Sequence, residues 1–118
     1  MDPLAGILGS LATGSSGGSA RPDITGEWVG TWTVSDGSYP AYLSVERSGS
    51  MLATIDIPSR PCTARWTEVS GGGTTLTVDA DVISGSCIDN RWILTVTDTS
   101  IIGVDSQGQN ASVQLRRR

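Results

Sequence analysis

From residue 24 onward, apolar and polar residues alternate in short runs separated by Gly, Pro, Asp and Ser. A period of two places successive side chains on opposite faces, the signature of a strand with one buried side. The first run, residues 25–35, sets Trp28, Gly30, Trp32 and Val34 on one face and Val29, Thr31 and Thr33 on the other. Asp36-Gly37 follows and predicts a type I′ hairpin turn, whose two central positions need positive φ. The second strand, 39–47, turns Ala41, Leu43 and Val45 inward, and Pro40 suggests an edge or bulge at its start. A third strand, 51–57, carries Met51, Ala53, Ile55 and Ile57 on one face and stops at Pro58 and Pro61. The fourth, 62–69, aligns Cys62, Ala64 and Trp66, and the fifth, 74–82, aligns Leu76, Val78 and Ala80. The sixth, 91–97, points Trp92, Leu94 and Val96 inward; a seventh covers 100–104 and an eighth 111–116.

The pattern therefore predicts an all-β fold of eight short strands. Nearly every neighbouring pair is joined by a hairpin, which makes the pairing antiparallel. An eight-stranded up-and-down barrel removes its exposed edges by closing and is the preferred architecture; a two-sheet β-sandwich is the alternative.

The domain is expected to span residues 24–116. Residues 1–23 are read as a disordered apolar start, PLAGILGSLA, followed by a Gly/Ser linker, and 117–118 as a basic tail, the end of the solvated run Arg116, Arg117 and Arg118. Residues 3–12 are too short to cross a bilayer and lack the basic start of a secretory signal. No membrane span is expected from the chain as it stands.

Composition narrows the chemistry. The net charge is −4 and the eight cations, all Arg, form no basic face, so nucleic acid is not an expected partner. There is no His in the 118 residues. That removes the commonest general base and metal ligand, together with every Ser-His-Asp or Cys-His arrangement. The Gly-rich stretches lack the Lys-Ser/Thr of a phosphate loop. Asp79 and Asp81 share one strand face, with Asp56 and Glu46 also outward, which reads as a solvated acidic surface before it reads as a carboxylate or cation site. Neither a catalytic residue, a metal site nor a cofactor is expected. Cys62 and Cys87 in a short β-domain suggest one disulfide and an oxidising compartment, the alternative being two buried thiols.

The candidate contact residues are aromatic. Trp28, Trp32, Trp66 and Trp92 all fall on inward faces of a chain that has no Phe. They are expected to build the core, or alternatively to line an interior that accepts a small apolar ligand. Gly30 would make room for a neighbouring indole. Tyr39 and Tyr42, beside the first hairpin, are candidates for covering the barrel end or for anchoring a partner.

The run from Ile24 through Gly26-Glu27-Trp28-Val29-Gly30-Thr31-Trp32 resembles the opening of an extracytoplasmic β-domain common in actinobacterial surface proteins. The stretches Cys62-Thr63-Ala64-Arg65-Trp66 and Cys87-Ile88-Asp89-Asn90-Arg91-Trp92 are similar to that group as well. Such domains form the ectodomains of Ser/Thr kinases or occur in secreted proteins and lipoproteins, behind a Gly/Ser/Pro linker. The resemblance covers residues 24–116. It implies a secreted or cell-surface location, one Cys entering the fourth strand, and a second just before the sixth. The function expected is a non-catalytic binding, sensing or interaction module for a protein, glycan or envelope ligand. A carrier of lipocalin- or avidin-like architecture and a structural component are the alternatives.

Overall fold

The structure, a computed structural model, describes residues 21–107 and 110–118. The expected disordered start and linker, apart from residues 21–23, lie outside the described residues. Eight strands follow one another: β1 (Gly26–Val34), β2 (Gly37–Arg47), β3 (Leu52–Ile57), β4 (Cys62–Gly72), β5 (Thr75–Gly85), β6 (Asn90–Val96), β7 (Ser100–Asp105) and β8 (Ser112–Arg117). Each pairs antiparallel with the next, and β8 returns to β1, so the sheet is a closed up-and-down barrel. The sandwich alternative is excluded by that last pairing, which sets Gly30 opposite Leu115 and Trp32 opposite Val113. Closure leaves no long strand edge open to another chain.

The alternation read from sequence is the alternation of burial. Trp28, Leu43, Ile55, Trp66, Val78, Leu94, Ile101 and Val113 all lie in the apolar interior. The long β4–β5 hairpin extends past the alternating run at both ends. The pairing register shifts near Ala64 and between Glu68 and Ser70. Pro40 lies beyond the reach of β3, whose pairing with β2 begins at Tyr42.

Three expectations are corrected. The first hairpin turns at Ser35-Asp36, with Val34 opposite Gly37, and neither turn residue has positive φ. Gly37 enters β2 at φ 150°, so the type I′ expectation placed the turn one residue late. Gly30 does not make room for an indole. A Cβ there would stand 1.8 Å from the carbonyl oxygen of Gln114, so the space is needed by the β8 backbone. Arg117 is exposed, as expected of the tail, but it is the last residue of β8, and residues 21–23 are tied to the domain through Arg21. Arg117 belongs to β8, donates to the carbonyls of Asp98, Thr25 and Asp23, and lies 4.5 Å above the Trp28 ring. It has the parity of Ala111, Val113 and Leu115 but stays exposed, its guanidinium bonded to carbonyls at the barrel end.

That end is plugged. Ile24 and Met51 are fully buried, and the Trp28 indole N–H donates to the Ile24 carbonyl at 2.9 Å. Arg21 ties the incoming chain down, donating to the Gly73 and Ser48 carbonyls, both at 2.9 Å, and making a forked pair with Glu68 at 2.5 and 3.0 Å. Glu68 also accepts the Met51 backbone N–H at 2.7 Å. The Arg21 hydrogen bond, opposed by burial and helped by Met51, holds the Glu68 carboxyl below its ordinary value of 4.5. A carboxyl lowered in the folded state adds stability that is complete above its unfolded pKa and is lost as pH falls through the folded one. Glu68→Ala is expected to cost about 2 kcal/mol at pH 7, because it takes the carboxylate from a half-buried guanidinium and leaves the Met51 amide without its acceptor. Urea melts should show the difference between variant and parent shrinking as the pH drops below 4.5. A pH-independent difference would contradict the charge-based account.

Candidate functional site

The opposite end is built from the β1–β2, β3–β4, β5–β6 and β7–β8 connections, and there the interior is not filled. A cavity of about 200 Å³ opens between the strands. Three indoles line it: Trp32 from β1, Trp66 from β4 and Trp92 from β6, with the last two 6.0 Å apart and tilted by 35°. Ile55 and Ile57 add aliphatic wall. The space exists because three inward positions near this end, Ala64, Ala80 and Ala111, carry only a methyl group. Each lies on a different segment, and together they leave a cup above the packed lower half.

The rim is pinned covalently. Cys62, at the start of β4, is bonded to Cys87 in the β5–β6 loop, so the sequence-predicted disulfide forms one side of the mouth. The Ser86 hydroxyl donates to the Arg60 carbonyl at 3.2 Å and its backbone N–H to Pro61, joining the β5–β6 loop to the β3–β4 turn. Ile88, in the same loop, is 62% exposed at the entrance.

Among the described residues, Arg60 is the one charged side chain lining the cup. Its guanidinium lies 5.0 Å from the centre of the Trp32 ring and 5.1 Å from that of Tyr39. Nη1 donates to the Asp36 carboxylate at 3.2 and 3.4 Å, while Nε is shut off from water without an acceptor. Tyr39, and after it Asp36, push the Arg60 pKa above its ordinary value, so the side chain is cationic at every physiological pH. Asn90 stands across the cup. Its side-chain oxygen accepts the Trp92 indole N–H at 3.0 Å, which assigns the amide orientation and leaves both N–H bonds of Nδ2 for another partner.

No known family, no curated protein and no solved structure matches this chain. The cup's own chemistry is therefore the basis for a functional reading.

The sequence-predicted aromatics divide into two groups. All four tryptophans are buried, but only Trp32, Trp66 and Trp92 reach the cup; Trp28 belongs to the plugged end, under Arg117. Tyr39 is half-buried at the rim, 5.9 Å from Trp32, with its hydroxyl donating to Asp36. Tyr42 points outward, under Arg118, and takes no part in the cup. Arg60, Asn90 and the three alanines were not singled out by sequence. An arginine in a Pro-flanked turn and a small residue at an inward position carry no local mark of a site.

Two carboxylates of the acidic outer face, Asp79 and Asp56, and the loop residue Asp89 make structural pairings. Asp79 and Arg91 form a forked pair at 2.6 and 3.1 Å, Asp56 accepts the Thr63 hydroxyl, and Asp89 accepts the Val82 backbone N–H. The hydrogen bond from Arg91 keeps the Asp79 carboxyl below its ordinary 3.8. Among the described residues no three His, Cys, Asp or Glu side chains gather as a metal site, and no helix is long and apolar enough to cross a membrane.

Proposed function

We propose that this domain is a binding module that takes a small apolar ligand into the tryptophan cup at the open end of the barrel. One observation carries the reading: a barrel plugged by Ile24 and Met51 at one end keeps about 200 Å³ open at the other, walled by three indoles. A ligand pocket is concave, mostly apolar and supplied with a few convergent polar groups. Trp32, Trp66 and Trp92 are the apolar part here, and Arg60 and Asn90 the polar part. The disulfide is compatible with an oxidising compartment. Together with the resemblance to actinobacterial extracytoplasmic domains, it supports work outside the cytoplasm, as a sensor or carrier rather than an enzyme.

Indole fluorescence tests the reading. Adding small aromatic ligands is expected to quench or shift the emission saturably, and Trp28→Phe should leave that response in place because Trp28 lies below the cup. Ala80→Leu places a larger side chain into the space beside Trp66 and is expected to abolish binding while thermal stability holds or rises. A parent protein whose emission is indifferent to every aromatic ligand up to its solubility limit would overturn the reading.

A further inference from the structure

We infer that the cup selects a one- or two-ring aromatic anion, with the ring among the indoles and the acid group on Arg60. This rests on the cup being a binding site, as proposed above. Size sets the first half. A cavity of about 150 Å³ lined by apolar side chains accommodates benzene. The space here is about 200 Å³, room for one or two fused rings but too little for a sterol or a long acyl chain. The tilted Trp66 and Trp92 pair, backed by Ile55, offers faces and edges to such a ring.

Charge sets the second half. Among the described residues no carboxylate lines the cup, and the single charge there is the guanidinium of Arg60. Its orientation is already fixed by the rings of Trp32 and Tyr39 and by Asp36 on Nη1. That arrangement uses only Nη1 on Asp36, and 25% of the Arg60 side chain stays exposed. A partly exposed guanidinium takes a carboxylate through a charge-assisted hydrogen bond, roughly twice as strong as one to a neutral acceptor. Asn90 adds two further N–H donors, since its oxygen is held by Trp92. Donors of this kind suit an acceptor-rich anion. The guanidinium repels an ammonium group, and an amide ligand offers only one acceptor oxygen.

Calorimetry on the full, disulfide-intact chain with three matched probes tests the inference: benzoate, benzamide and benzylammonium, followed by the naphthalene series. The carboxylate is expected to bind at least about tenfold tighter than the amide, the ammonium weakest of all. Arg60→Met should remove the preference for the carboxylate and leave amide affinity much less changed. Arg60→Lys, which keeps the charge but loses the planar guanidinium seated on Trp32 and Tyr39, should restore only part of it. If the Met variant fails to fold, judged by thermal melting, the three-probe ranking on the parent protein decides alone. Equal affinity for amide and carboxylate, or tighter binding of the ammonium, would overturn the anion assignment while leaving the cup a binding site. Absence of binding by all probes in both series would overturn both.

Discussion

Gly30→Ala is expected to lower the stability of this domain by about 3 kcal/mol or more, a large share of the roughly 5–15 kcal/mol available to a domain. A methyl group at Gly30 would meet the Gln114 carbonyl oxygen at 1.8 Å and the Leu115 Cα at 2.8 Å. These atoms are backbone, and no side-chain rotation relieves the clash. Gly30 and Leu115 are opposite one another where β1 receives β8. The strands must separate, and separation there undoes the closure of the barrel. Glycine within a strand commonly marks such a close backbone approach. Gly49 is the control, because a Cβ there meets nothing within 4 Å. Gly49→Ala should fall within about 0.5 kcal/mol of the parent. Denaturant melts of the two variants side by side give the answer, and similar midpoints would contradict the assigned role of Gly30 in closure.

Reduction of the disulfide is the second large effect. Cys62 and Cys87 are 25 positions apart, and freeing a loop of that length costs about 3.5 kcal/mol in the chain-entropy account. For a domain of this size that corresponds to a fall in Tm of about 15–25 °C. Thermal melts with and without reductant, repeated on a Cys62→Ala, Cys87→Ala double variant, should agree. The bond also holds the β5–β6 loop at the mouth of the cup, so ligand affinity should weaken at temperatures where the reduced protein is still folded. A shift in Tm below about 5 °C would show that the loop is held by its remaining contacts, such as Ser86 on Pro61 and Arg60.

The faces of the strands were legible in the sequence because a period of two is a local property. Knowing that Trp28 and Trp32 share a face requires only that the segment between them be extended. The same parity would have placed Arg117 with Ala111, Val113 and Leu115, but a terminal run of three arginines looks like a solvated end. The first turn was misplaced by one residue because Asp-Gly is a strong turn pair. The register of Val34 with Gly37, fixed by pairing along the whole hairpin, overrode it.

The cup was not legible. Its volume is what remains when Ala64, Ala80 and Ala111 meet at one end, and they come together only through the pairings of β4 with β5 and of β8 with its neighbours. Arg60 sits in a turn whose sequence says only that a strand has ended. Its place over the cup depends on Trp32 and Tyr39 arriving from β1 and β2.

The sequence by itself determined eight extended segments, their inward residues, the antiparallel order imposed by short connections, and the two cysteines available to bond. These follow from local geometry and chain connectivity. Only the tertiary structure decided that β8 meets β1, that Gly30 is the point of contact, that one end is plugged and the other hollow, and that Arg60 overlooks the hollow. Each of these depends on residues far apart in the chain, and on how their volumes add in space, which no window along the sequence contains.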